Sequence, residues 1–296
     1  MHQSALHGRD GATDNEQKID LHVLVNLRGR FVRVGLLKVI QMHVSPIVET
    51  KGITIRFGGH VAVNRVNLQV EPFVLKSIIG PNGAGKTTLF NLMTGQYKPT
   101  EGSIFLKGED ITRLSAVKRT RLGMGRSFQL TNIFPVLTVL ENVRVAIQSR
   151  EGIGLNFWKN YLHFSSMEDE AYELLKDVLL NEKWAMPASS LTHGEQRKLE
   201  IAILLALKPE ILFLDEPTAG MGQEEVPAIL DILRRIKDAK DRTMLLVEHK
   251  MDMIMTLSDS IAVLQEGELI ADGAPDEIYR NKAVQEAYLG GGAKRE

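Results

Sequence analysis

The sequence predicts an α/β fold built around a mainly parallel β-sheet, and three observations point to it. A glycine-rich loop, Gly80 to Thr88, lies between an apolar strand segment, Val74 to Ile79, and a helical segment, Lys86 to Met93. A second apolar run, Ile211 to Asp215, ends in acid, as expected of a buried parallel strand that delivers a carboxylate at its C-terminal end. Beyond it, strand and helix patterns alternate, and sheets of this kind bind their ligands at the C-terminal ends of the strands.

The loop reads GPNGAGKTT and follows the G-x-x-x-x-G-K-[ST] pattern of a phosphate loop. Gly80, Gly83 and Gly85 let the backbone pass close to a triphosphate with N–H groups turned toward it, and Pro81, Asn82 and Ala84 complete the cradle. The helix N-terminus beyond adds positive potential. Lys86 supplies a point charge for the β and γ phosphates. The hydroxyl of Thr87, with Thr88 behind it, is placed to ligate Mg²⁺. A chance glycine-rich turn is the weaker reading, because four fixed positions stand between a strand and a helix.

With 36 basic and 37 acidic side chains and a formal net charge of −1, the global balance gives no sign of a nucleic-acid partner. At 44% hydrophobic residues over 296 positions, there is enough apolar surface for a large core. The absence of cysteine excludes disulfides and thiolate metal sites and is compatible with a reducing cytosol. No run approaches the roughly 18 apolar residues that span a bilayer, so any membrane role is expected to be borrowed from another chain.

Residues 1–45 carry no clean period and are expected to be a disordered or non-native extension, with Met42 or Val44 as an alternative start of translation. Acidic residues Asp10, Asp14, Glu16 and Asp20 argue against a secretory signal. Arg28, Arg30, Arg33 and Lys38 leave a basic amphipathic surface anchor as an alternative. The segments 47–57 and 61–70 alternate as a half-buried hairpin around Gly58-Gly59. Phe57 closes the first strand, and either stacks on a nucleotide base or packs in the core. Ser103 to Ile111 reads as a strand and turn, and a basic segment, Lys118 to Arg126, leads into SFQL.

The middle of the chain turns helical, with apolar residues at helical spacing in Thr138–Gln148 and Met167–Leu180. Between them lie Phe157, Trp158, Tyr161 and Phe164, either packing or an exposed docking cluster. After the acid-ending strand come a helix at Glu224–Lys237, a strand at Thr243–His249, a helix at Lys250–Leu257 and a hairpin turning at Glu266-Gly267. The helical middle is therefore an insertion into one nucleotide core. Asp215 is expected to hold Mg²⁺ opposite Thr87, and Glu216 to orient or deprotonate an attacking water. Joined to the phosphate loop, this pair makes nucleoside-triphosphate hydrolysis the leading chemistry.

Three more features, in order along the chain, resemble the ATP-binding subunits of ABC transporters. Gln129 in SFQL is similar to that family's glutamine-loop residue, SLTHGEQRKLEIAILLALKPEILFLDEP to its signature followed by its second nucleotide motif, and His249 in VEHKMD to its switch histidine. The likeness covers residues 46–290, with the helical insertion at about 130–208 and a short tail at 291–296. It implies a P-loop NTPase core with a RecA-like sheet, an N-terminal antiparallel β subdomain and a helical subdomain. It further implies ATP and Mg²⁺ as ligands, Lys86, Glu216, His249 and Gln129 as catalytic residues, and Thr87, Gln129 and Asp215 around the metal. Thr192, Gly194 and Glu195 would close over the γ-phosphate of a second subunit, in a homodimer or a heterodimer with a related ATPase. Transmembrane permeases and, indirectly, a substrate-binding protein are the remaining implied partners, at the cytoplasmic face of a bacterial or archaeal plasma membrane.

Within that family FGGHVAVN, FQLTNIFPVLTVLENV, TAGM and GAPDEIYRNKAVQEAYLG resemble importer subunits for branched-chain amino acids. Urea or amide importers and the ATPase of lipopolysaccharide export are the alternatives. The chain departs from the family pattern in several places: Thr192 replaces the commonest serine but keeps the hydroxyl, Gly222 stands where many members have an acidic or amide residue, Phe73-Val74 replaces a Gly-Glu turn, and Lys76 lies inside a strand. Two other classes fit the sequence less well. A soluble ABC ATPase of translation or DNA repair would carry two nucleotide cores or a long coiled coil, and a P-loop kinase would have no use for LTHGEQ.

Overall fold

Alternating apolar residues bury one face of β1 (Val48–Phe57) and β2 (His60–Val70), which pair antiparallel across the Gly58-Gly59 turn. The computed structural model describes residues 45–127, 133–152 and 161–289. Strand β4 (Glu101–Leu106) pairs antiparallel with the other edge of β1 and carries the short β5 (Glu109–Asp110), giving the order β2-β1-β4-β5. Between β2 and β4 the chain runs through β3 (Leu75–Ile79) and helix α1 (Lys86–Met93). Helix α2 (Ala116–Arg121) precedes β6 (Met124–Arg126).

The second sheet adds β7 (Ile211–Asp215), β8 (Thr243–Val247), β9 (Ser260–Gln265) and β10 (Glu268–Gly273) in the order β10-β9-β3-β8-β7-β6. Every pairing in it is parallel except β9 with β10. Its central strands are buried on both faces, and period two sorts their side chains into two cores. Ile211, Phe213, Leu245 and Val247 face the antiparallel sheet and α1, where Phe90 meets Phe213 edge-on at 5.4 Å. Leu212, Leu214, Met244 and Leu246 face the helices α3 (Val139–Arg150), α4 (Tyr161–Asp177), α5 (His193–Ala206) and α6 (Val226–Asp238). A smaller cluster joins Ile79 to α7 (Met251–Leu257), α8 (Pro275–Arg280) and α9 (Lys282–Leu289) through Ile254, Ile278 and Val284.

The sequence did not announce α2, β6, α8 or α9, which have three to eight residues each and are too short to show a period. Helix α4 starts at Tyr161, six residues before the expected Met167. Phe157 and Trp158, the side chains of Tyr161 and Phe164, and residues 1–44 and 290–296 lie outside the described residues.

Two of the departures have a local account. Phe73 adopts φ +62°, the left-handed conformation that the usual glycine takes without strain, and its N–H donates to Thr243 Oγ1 at 2.9 Å. Lys76 is buried, and its ammonium donates to Asp272 Oδ1 at 2.6 Å, Oδ2 at 2.8 Å and the Gln69 carbonyl at 2.9 Å. The buried lysine thereby ties β3 to β10 and to the antiparallel sheet, which satisfies a charge that would otherwise be costly.

One charged knot ties three helices of the helical layer together. Arg150 at the end of α3 grips Glu170 of α4 with both nitrogens, at 2.8 and 2.9 Å, and donates to the Ala206 carbonyl at 2.7 Å. Lys208 adds a second cation 3.0 Å from Glu170. The Arg150 hydrogen bonds, opposed by burial, pull the Glu170 carboxyl from 4.5 down to about 2. A carboxyl lowered on folding contributes stability that is complete above its unfolded pKa and lost as pH falls toward the folded one. Denaturant melts between pH 5 and pH 2 are therefore expected to show wild type losing its advantage over Glu170→Gln across that window. A gap that stays constant with pH would show the knot to be electrostatically idle.

Candidate active site

Three adjacent strands deliver the site. Strand β8 lies between β3 and β7, so the loops that leave their C-terminal ends gather Gly80–Thr88, Asp215–Glu216 and Glu248–His249 at one edge of the sheet.

The phosphate loop requires glycine at two places for steric reasons. A Cβ on Gly80 would stand 2.1 Å from the Leu264 carbonyl oxygen, and one on Gly85, at φ +98°, would stand 2.5 Å from the Ala62 carbonyl oxygen. Both obstacles are backbone and cannot step aside. Gly267 N–H donates to the Ala84 carbonyl at 3.1 Å, so the β9–β10 turn braces the loop from behind. Asn82 and Gly83 are exposed at the apex, Pro81, Thr87 and Thr88 are half-buried, and Ala84 is buried. Lys86 is buried, and its ammonium spans the loop, donating to the carbonyls of Gly80 at 2.8 Å and Pro81 at 3.0 Å. Burial lowers its pKa, and the charges of Glu216 and Asp215 oppose that shift.

Asp215 is buried at the end of β7. Its Oδ2 receives Arg126 Nη2 at 3.0 Å, and Arg126 Nη1 donates to Asn91 Oδ1 at 2.6 Å and Thr94 Oγ1 at 2.8 Å. Its Oδ1 is buried without a hydrogen-bond partner, an acceptor for a cation or a metal-bound water. Burial raises the Asp215 pKa despite Arg126, so one guanidinium does not fully offset the loss of water. Thr87, Lys86 and Asp215 therefore present the hydroxyl, the cation and the under-satisfied carboxylate that a magnesium-bound triphosphate requires.

Glu216 follows in the left-handed region at φ +48°, and its N–H donates to the Val247 carbonyl at 2.9 Å. That backbone turn brings its Oε1 to 2.8 Å from His249 Nε2. Both side chains remain partly exposed, at 31% and 41%, so a water molecule can reach them. Glu248 behind them is buried, and accepts hydrogen bonds from Thr218 and from the N–H groups of His249 and Lys250.

Phe57 does not join the core. It is 47% exposed at the end of β1 and packs edge-on against Tyr97 at 5.5 Å, which favours the first of its two readings. Gln129 lies outside the described residues. Thr192 is the N-cap of α5, which starts at His193 behind a closed capping box. Thr192 Oγ1 accepts from the Glu195 N–H at 3.3 Å, and Glu195 Oε2 accepts from the Thr192 N–H at 3.1 Å. Glu195 also pairs with Lys183 at 2.6 Å. Within this chain Thr192 and Gly194 meet Glu225: Thr192 Oγ1 donates to Glu225 Oε1 at 3.5 Å, and a Cβ on Gly194 would stand 2.5 Å from that same oxygen. Glu225 Oε2 also receives the Gly222 N–H at 3.2 Å, so the small residue at 222 leaves its amide to a neighbour three positions on.

The sequence reading missed Arg126 and Glu248. Arg126 ends a basic segment, Lys118 to Arg126, in which nothing distinguishes it from its neighbours, and Glu248 sits beside the more conspicuous His249. A single acid at the end of an apolar strand, the signal used for Asp215, was equally available for Glu248.

A family model described as ABC transporter matches residues 63–219. A second, described as branched-chain amino acid ATP-binding cassette transporter, matches residues 268–294. The chain is 43% identical over 252 residues to the high-affinity branched-chain amino acid transport ATP-binding protein BraF of Pseudomonas aeruginosa, covering 83% of this chain and 98% of BraF. It is 40% identical over 253 residues to LivG of Escherichia coli K12, at the same coverage. Among solved structures, the ADP conformation of an ATP-binding cassette of an ABC transporter matches with a TM-score of 0.71 and 28% identity, covering 83% of this chain and 99% of that one. The dimeric post-hydrolysis state of a cassette bound to ADP and Pi matches at 0.66 and 27% identity, covering 77% and 98%.

Proposed function

The chain belongs to the ABC transporter family as an ATP-binding, ATP-hydrolysing cassette, and on that premise we propose that it powers the import of branched-chain amino acids from the cytoplasmic side of a membrane. The 2.8 Å contact between Glu216 and His249, beside the phosphate loop, carries the chemical part of the proposal. The C-terminal match at residues 268–294 and the printed names of BraF and LivG support the choice of substrate.

In the proposed reaction Gly80 to Thr88 binds the triphosphate through backbone N–H groups, and Lys86 transfers its hydrogen bonds from the loop carbonyls to the β and γ phosphates. Glu216 orients the attacking water and accepts its proton as the water oxygen bonds to the γ-phosphorus and the bond from that phosphorus to the β-phosphate oxygen breaks, releasing ADP and phosphate. The His249 Nε2–H that meets Glu216 in the structure turns to the γ-phosphate. Thr87 and Asp215, with Gln129, would hold Mg²⁺, which supplies charge neutralisation on the phosphate oxygens. Thr192, Gly194 and Glu195 of a second cassette close the site, and the exposed face of Phe57 and Tyr97 receives the adenine. No helix among the described residues is long and apolar enough to cross a membrane. In the proposed transporter separate permease subunits provide the passage.

Cells lacking this chain are expected to lose uptake of radiolabelled leucine, with restoration by wild type and none by Glu216→Gln. Uptake that is indifferent to the chain while the purified protein hydrolyses ATP would remove the substrate assignment and leave the ATPase.

A further inference from the structure

We propose that Glu248 is a positioning residue for hydrolysis, a buried carboxylate that locks the segment carrying Glu216 to the segment carrying His249. The inference rests on the roles given above to Glu216 and His249.

Glu248 is 3% exposed, yet among the described residues no lysine or arginine forms an ion pair with it. A lone carboxylate in such a place is costly unless donors replace the lost water. The donors come from two different loops. Glu248 Oε1 accepts the Thr218 hydroxyl, in a very short contact, and the Thr218 N–H at 3.3 Å. Glu248 Oε2 accepts the His249 N–H at 2.7 Å and the Lys250 N–H at 3.3 Å. Each oxygen therefore belongs to one loop, and the rigid carboxyl plane fixes the spacing between them.

Thr218 lies two residues beyond Glu216, in a turn closed by Ala219 N–H to the Glu216 carbonyl at 3.0 Å and Met221 N–H to the Thr218 carbonyl at 3.4 Å. The other loop begins with His249 itself. The two loops meet again at their working ends, where Glu216 Oε1 lies 2.8 Å from His249 Nε2. The bridge of Glu248 underneath and the Glu216–His249 contact above close a ring, so a shift of Thr218 changes the distance between the two reacting side chains. Glutamine in place of Glu248 would present an N–H₂ group to one of the two donor pairs and open the ring on that side.

The test compares Glu248→Gln, Glu248→Asp and Thr218→Val with wild type in the full chain. The readouts are kcat and KM for magnesium ATP, binding of a fluorescent ATP analogue, and the melting temperature. Glu248→Gln is expected to lower kcat roughly 10- to 100-fold, the usual effect of misplacing a catalytic group by a fraction of an ångström to an ångström, with nucleotide affinity held within about twofold. Thr218→Val is expected to lower kcat in the same sense, and Glu248→Asp, which keeps both oxygens on a shorter stem, to recover part of the loss. A purely structural role would move melting temperature and nucleotide affinity together and leave kcat per folded site intact, and that result overturns the proposal. Should Glu248→Gln not fold, Thr218→Val and Glu248→Asp decide: lower kcat at normal nucleotide binding supports the lock, and unchanged kcat overturns it. Glu216→Gln is run alongside. If it is inactive while Glu248→Gln is normal, only the lock fails; if it turns over freely, the assignment of Glu216 fails first.

Discussion

In a Glu216→Gln variant, ATP turnover is expected to fall about 10²- to 10⁴-fold, the range for loss of a positioned general base. The geometry makes this a chemical test. Glutamine keeps the length and shape of the side chain, and its amide oxygen can still meet His249 Nε2, 2.8 Å from Glu216 Oε1 in the wild type. The left-handed backbone at residue 216 and the N–H bond to the Val247 carbonyl involve no side-chain atom, so the fold has little reason to respond. Nucleotide affinity should hold as well, because the phosphate loop and Lys86 are untouched. With binding intact and hydrolysis blocked, the nucleotide-bound form accumulates, and a sizing column run with ATP should show a stable dimer that wild type passes through only briefly. Turnover at the wild-type rate would mean that Glu216 is not the base.

The second large effect is expected from Lys86→Met, and it falls on nucleotide binding with little change in stability. Lys86 is 6% exposed, and burial is the main cause of its lowered pKa. A base whose pKa falls on folding costs stability at every pH where the unfolded chain carries the charge. Methionine fills nearly the same volume without that cost, though it leaves the Gly80 and Pro81 carbonyls without their donor and removes one of the positive charges near Asp215 and Glu216, with Arg126 still paired to Asp215. The melting temperature of the nucleotide-free chain should therefore stay close to wild type. Nucleotide affinity should not. Two charge-assisted hydrogen bonds to phosphate are lost, about 3 kcal/mol together or roughly 100-fold in Kd. Titration with a fluorescent ATP analogue checks this. An affinity within twofold of wild type would place Lys86 outside the phosphate site.

What the amino-acid sequence determined by itself was whatever chemistry writes in short, contiguous spacing. Gly80 to Thr88 is a loop of nine consecutive residues whose function depends on its own backbone, so its sequence and its geometry are nearly the same statement. Helix α1 starts and stops where the residue pattern says, at Lys86 and Met93. The acid ending of β7 was legible for the same reason, because a strand buried on both faces is usually an apolar run and a charge is most easily placed at its end.

Only the tertiary structure decided how separate segments meet. That Arg126 would neutralise Asp215 across 89 positions depends on β6 lying beside β7, and a three-residue strand leaves no period to find. That Phe57 would pair with Tyr97 at the surface, and not enter the core, depends on where β1 ends relative to the chain beyond α1. Lys76 looked out of place in its strand until Asp272 arrived from β10 and Gln69 from the other sheet. Glu248 shows the same limit most clearly. Its four donors come from its own neighbours and from Thr218, thirty residues away, and β7 and β8 must first align in parallel before one carboxylate can hold both loops. Local spacing specifies groups that act on their own backbone, whereas burial specifies partners, and burial exists only once the sheet has closed.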